Sequence, residues 1–171
     1  HKRSGGRSHW KGDYVDGSTK PLLPFGFGLS YTTFAYSDFE IESEEVTTTG
    51  SFKASICVQN TGNMPGDAVV QLYCADPVAS VTRPVKELKG FARVHLECGQ
   101  KVRVQFEVAA SQMAFVDRGM RFVVEPGEIQ VMFGEHAEKI AASGTGTLTG
   151  EKQFLYESRE FFSQYTVKDM G

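Results

Sequence analysis

The chain has 171 residues, with 18 Lys and Arg against 21 Asp and Glu for a net charge of −3. That length suits one domain with flanking arms around an ordinary core, and the near balance of charge excludes a global field suited to nucleic acid or an anionic membrane. No run approaches the ~18 apolar residues of a membrane-crossing helix.

The first 33 residues are rich in Gly, Ser, Pro and basic groups and predict an extended arm. HKRSGGRSHWKGDYVDG gathers Lys2, Arg3, Arg7 and Lys11 around Trp10 and Tyr14. It is too short, and lacks any RNA-binding signature, to argue for nucleic acid. Pinning of the arm to a neighbouring domain by its aromatics is the main reading, and stacking on a sugar ring the other. Residues 21–34, PLLPFGFGLSYTTF, set Leu22, Leu23, Phe25, Phe27 and Leu29 among two prolines and two glycines, with no regular period. Burying one Leu or Phe is worth ~1.5–3 kcal/mol, so five place on the order of 10 kcal/mol at stake. Left wet, they would form a patch of the kind that marks an interface. The segment predicts a strap that docks on a preformed surface through Leu22, Leu23, Phe25, Phe27, Leu29 and Tyr31.

FAYSDFEI gives a first strand ahead of the acidic Glu40–Glu45 run. SFKASICVQN alternates, with Phe52, Ala54, Ile56 and Val58 on one face and Lys53, Ser55, Cys57 and Gln59 on the other. The turn cluster TGNMPGD precedes a strand in AVVQLYCA. PVKELKGFARVHL follows, then a turn at ECGQ, and KVRVQFEV, where Val102, Val104, Phe106 and Val108 share a face. Beyond a loop with Asp117-Arg118-Gly119, Pro126-Gly127 splits two short strands, the second pointing Ile129, Val131 and Phe133 inward. GTGTLTG reads as a flexible hairpin. The sum is an all-β antiparallel sandwich of the immunoglobulin or fibronectin type III kind. Its limits are an arm and strap over 1–33, a sandwich over 34–150 and a tail over 151–171. In the tail, Phe154, Leu155, Phe161, Phe162 and Tyr165 make a helical stripe with Ser158 as a possible N-cap, and strand is the competing reading.

Three cysteines (Cys57, Cys74, Cys98) cannot all pair within one chain, and they read as free, partly buried thiols. His1, His9, His95 and His136 fall too far apart for a paired metal site. There is no phosphate loop, no serine elbow and no cofactor signature.

The segments PLLPFGFGLSYTTFAYSDFEI, VQNTGNMPGDAVVQLYCADP, RPVKELKGFARVHLECGQKVRVQFEV and FVVEPGEIQVMFGEHAEKI closely resemble the C-terminal region of glycoside hydrolase family 3 enzymes. Those are chiefly β-glucosidases, with some β-xylosidases, and the resemblance covers about residues 9–140. It implies the fibronectin type III-like module of these enzymes, preceded by a linker. It also implies that the chain, which opens at His1, is a piece of a longer protein. Its partners would be the parent's catalytic barrel and second α/β domain, with carbohydrate met through the parent. A homodimer stays open, as does a carbohydrate-binding role. The family's retaining reaction needs a carboxylate nucleophile and a carboxyl acid/base. Both precede the region matched, so the resemblance carries no catalytic residue, metal or cofactor onto this chain. It suggests His9, Trp10, Asp13 and Tyr14 as a rim of the substrate cleft or of an interface. The family's Ser-Asp-Trp nucleophile motif has an echo in Ser37-Asp38-Phe39, but that triplet opens the first sandwich strand. Asp38 reads as a solvated strand carboxylate.

Overall fold

The computed structural model describes residues 21–156 and 159–171. The arm residues His9, Trp10, Asp13 and Tyr14, and the Ser158 cap, lie outside them. In chain order the strands are β1 Phe34–Ile41, β2 Glu45–Thr47, β3 Ser51–Asn60, β4 Gly66–Ala75, β5 Glu87–Leu96 and β6 Lys101–Ala109. A 3₁₀ turn at Ala110–Met113 leads to β7 Phe115–Val116, β8 Phe122–Val124, β9 Gly127–His136, β10 Lys139–Thr149, β11 Gln153–Phe154 and β12 Gln164–Asp169.

One sheet runs β1-β3-β6-β12 and its partner runs β2-β10-β9-β4-β5, with a small third sheet β11-β8-β7 at one end. All pairs are antiparallel except β2 with β10. The alternation in the sequence sets the core. Phe52, Ala54, Ile56 and Val58 of β3 and Val102, Val104, Phe106 and Val108 of β6 face Ala68, Val70, Leu72 and Cys74 of β4. Ile129, Val131 and Phe133 complete that layer from β9, and the Phe106 and Phe133 rings meet at 5.8 Å. Ser55 and Cys57, on the other face of β3, are buried as well. Arg103 of β6 reaches across them, donating to Ser55 Oγ at 2.9 Å and to the Asp38 carbonyl at 3.2 Å.

Two segments depart from expectation. GTGTLTG, up to Thr149, forms the end of β10, paired on one side with β9 and on the other with β2. Phe39 fixes glycine there, because a Cβ on Gly144 would stand 2.7 Å from its ring. The tail is strand where a helical stripe was expected. Tyr165 and Val167 alternate with Gln164, Thr166 and Lys168, a period of two that fits the open edge of β6. Ser163 pins the segment's start, donating to the Lys89 carbonyl at 2.9 Å and accepting from Gln112 Nε2 at 3.1 Å.

A charge cluster lies under the 76–86 loop. Lys89 Nζ donates to Glu87 Oε2 at 2.8 Å and to the Gln112 carbonyl at 2.6 Å. Arg83 donates to Glu87 Oε1 at 2.8 Å, to Asp76 at 3.3 Å and to the Met113 carbonyl at 2.8 Å. Both cation side chains are 5% exposed, so each charge depends on its partners.

Candidate docking surface

The strap lies on the outer face of the β4–β9 sheet and is held there mainly through polar groups. Pro24 and Gly26 make a tight turn, closed by Phe27 N–H donating to the Pro24 carbonyl at 3.1 Å, with Gly26 at φ +80°. Ala137 N–H donates to the Phe25 carbonyl at 2.9 Å. Gln71, almost wholly buried, donates Nε2 to the Gly26 carbonyl at 2.9 Å and to the Glu135 carbonyl at 2.6 Å. Tyr73 in turn donates its hydroxyl to Gln71 Oε1. A Cβ on Gly26 would meet that oxygen at 2.1 Å, so both φ and close approach demand glycine. The far end is anchored by Thr32, whose buried hydroxyl donates to Asn60 Oδ1 at 2.7 Å. Asn60 also donates to the Met64 and Leu96 carbonyls, and this satisfies its buried amide.

These bonds fix the backbone while most of the apolar side chains point to solvent. Leu22 is 96% exposed, Leu29 92% and Tyr31 95%, with Leu23 and Phe25 at 61% and 66%. Phe27 differs. It rests on the His136 ring at 5.6 Å and is 40% exposed. Two neighbours on the same sheet face extend the patch and were not singled out from sequence: Val69 and Phe91, 41% and 56% exposed. Gln71 and Phe91 are register partners, so the ring stands beside the amide that grips the strap. The signal for Phe91 was an aromatic on the polar alternation of FARVH. A hollow of about 200 Å³ opens beside the strap, lined by Phe27, Leu29, Tyr36, Asp67, Val69 and Glu135. Burial, with Glu135 nearby, raises the Tyr36 phenol above its ordinary value. His95 Nδ1 at 2.7 Å and Arg93 Nε at 2.8 Å hold the Asp67 carboxyl below its own.

Asp38 sits at φ +53° on an irregularity in β1, 2.7 Å from Lys101 Nζ and 2.9 Å from Ser37 Oγ. Lys101 lowers its pKa. It is a surface ion-pair partner. Cys57 and Cys74 are buried and Cys98 exposed, all three as free thiols.

Residues 68–137, from β4 to the turn after β9, match the fibronectin type III-like domain family (Fn3-like). The periplasmic β-glucosidase of Salmonella typhimurium is 39% identical over 127 residues, covering 74% of this chain and 17% of that protein. The β-glucosidase BoGH3A of Bacteroides ovatus is also 39% identical, over 139 residues, covering 81% of this chain and 18% of its own length. Among solved structures, a β-glucosidase from Erythrobacter marinus superposes with a TM-score of 0.74 at 39% identity, over 80% of this chain and 18% of that one. The chain is the fibronectin type III-like region of glycoside hydrolase family 3. As such a region, it spans less than a fifth of the length of these relatives. Its outer sheet face, with Val69, Gln71 and Phe91, falls inside the residues that carry the Fn3-like match.

Proposed function

We propose that this region is a non-catalytic module of a β-glucosidase-type hydrolase that cleaves terminal β-glycosidic bonds with retention. It docks through Leu22, Leu23, Phe25, Phe27, Leu29 and Tyr31 on the parent's barrel and second α/β domain. His9, Trp10, Asp13 and Tyr14 serve the rim of the substrate cleft or an interface. One observation carries the reading: a ribbon of large apolar groups is fixed in place by buried polar anchors yet left uncovered by its own sandwich. Scattered apolar side chains are ordinary on a surface, but a contiguous set on a rigid backbone marks a contact.

The non-catalytic role rests on the family resemblance, in which both catalytic carboxyl groups precede the region that this chain matches. A retaining glycosidase needs a carboxylic acid whose pKa is raised, so that it can protonate the leaving oxygen. Incubating the 171-residue chain with an aryl β-glucoside tests the non-catalytic role. No turnover above the uncatalysed rate is expected, and hydrolysis by the purified chain would contradict it.

A further inference from the structure

The two large sheets end in four edge strands, and three of them are bulged, very short or hold a buried charge, which discourages pairing with another chain. β1 is broken by a register shift between Ser37 and Glu40, with Asp38 in left-handed backbone. β2 has three residues. β5 is bulged at Lys89, the residue skipped where Leu72 and Tyr73 pair with Gly90 and Leu88, and the charge of Lys89 is buried there. β12 has neither bulge nor buried charge, and its two charged residues, Lys168 and Asp169, are exposed at its C-terminal end. It runs six residues in unbroken register, from Gln164 opposite Glu107 to Asp169 opposite Val102, and Tyr165 and Val167 stay 48% and 43% exposed.

The direction of its free backbone groups follows from one hydrogen bond. Met170 N–H donates to the Lys101 carbonyl at 3.0 Å. By the alternation of an antiparallel ladder, the amides of Lys168, Thr166 and Gln164 also face β6. Those of Tyr165, Val167 and Asp169 therefore face outward, where no described strand pairs with them.

The geometry points to a second copy of this chain as the partner, with β12 pairing antiparallel to its own counterpart across a two-fold axis through Thr166. A two-fold contact must be self-complementary. Continuing each sheet face into the same face of the copy requires a register centred on a residue, because successive side chains alternate. Centring on Thr166 places Thr166 opposite Thr166 in a non-hydrogen-bonded pair. Tyr165 and Val167 then exchange backbone bonds with Val167 and Tyr165 of the copy, through the groups that face outward. Aromatic with β-branched and Thr with Thr are favourable cross-strand pairs. Gln164 meets Lys168, so no like charges oppose. The two four-stranded sheets merge into one of eight, on the sheet that does not carry the strap, so this inference is independent of the docking role.

Disulfide trapping in the full chain tests the register. Non-hydrogen-bonded partners have Cα atoms ~4.5 Å apart, within the range a disulfide spans. In a Cys98→Ser background, Thr166→Cys is expected to give a covalent dimer on mild oxidation, whereas Lys168→Cys is expected to stay monomeric. Val167→Pro removes an outward N–H and leaves the pairing with β6 intact, so adding it to Thr166→Cys should abolish the dimer while circular dichroism shows a folded chain. Failure of Thr166→Cys to cross-link, or equal cross-linking at both positions, would overturn the assignment. So would a dimer that persists with proline at 167.

Discussion

Glu87→Gln puts the charge cluster under the 76–86 loop to a quantitative test. Glu87 accepts from two cations whose side chains are 5% exposed, Lys89 at 2.8 Å and Arg83 at 2.8 Å. Without its charge, Lys89 keeps only neutral oxygens, chiefly the Gln112 carbonyl at 2.6 Å, while Arg83 keeps Asp76 at 3.3 Å. Removing one member of a buried pair costs about 3–5 kcal/mol. At about 2–4 °C per kcal/mol for a chain of this size, the melting temperature should fall by about 6–20 °C. Adding Lys89→Met removes the stranded ammonium and should recover much of the loss, against the cost of leaving the Gln112 carbonyl without its donor. Urea unfolding followed by circular dichroism, on the two single variants and the double variant, closes the cycle. The pH dependence has a defined sign. Burial lowers the Lys89 pKa below its ordinary 10.5, so between the lowered value and 10.5 the unfolded chain binds more protons. Stability from this group therefore rises with pH in that window. A cost below about 1 kcal/mol for Glu87→Gln, or a double variant as unstable as the sum of the singles, would refute the reasoning.

Two further outcomes follow from packed positions. Gly144→Ala places a methyl group 2.7 Å from the Phe39 ring and should cost about 1–3 kcal/mol as an overpacked site; thermal unfolding showing no loss would contradict that packing. Burial pushes the Cys74 thiol up to about 12 from its ordinary 9.0, so the folded chain holds that proton longer than the unfolded one. Its contribution is complete below pH 9 and is lost as pH rises to about 12, a span of about 4 kcal/mol at ~1.4 per unit. Chemical unfolding at pH 8 and 11 should show a smaller drop in Cys74→Ala than in the parent chain, and an unchanged drop would contradict it.

The alternating strands could be read directly: β1 and β3 begin and end where the pattern of FAYSDFEI and SFKASICVQN places them. What escaped were elements decided by their neighbours. GTGTLTG has little apolar content of its own, and becomes strand because β9 and β2 pair with it and Phe39 packs over Gly144. The tail has aromatics at both helical and strand offsets, and the open edge of β6 together with the Ser163 anchor selects strand. The strap's composition marked it for contact, but its anchors could not be read. Gln71 and Asn60 reach it across 45 and 28 residues of chain respectively. Phe91 and Val69 looked like ordinary strand residues until the sheet placed them beside it.

Footprinting the strap itself tests the docking role most directly. Hydroxyl-radical modification of Leu22, Leu23, Phe25 and Leu29 can be compared between the 171-residue chain and the intact parent enzyme. Strong labelling in the chain and marked protection in the parent are predicted. Equal labelling in both would mean that nothing covers those side chains, contradicting the proposal that the strap docks on the catalytic domains.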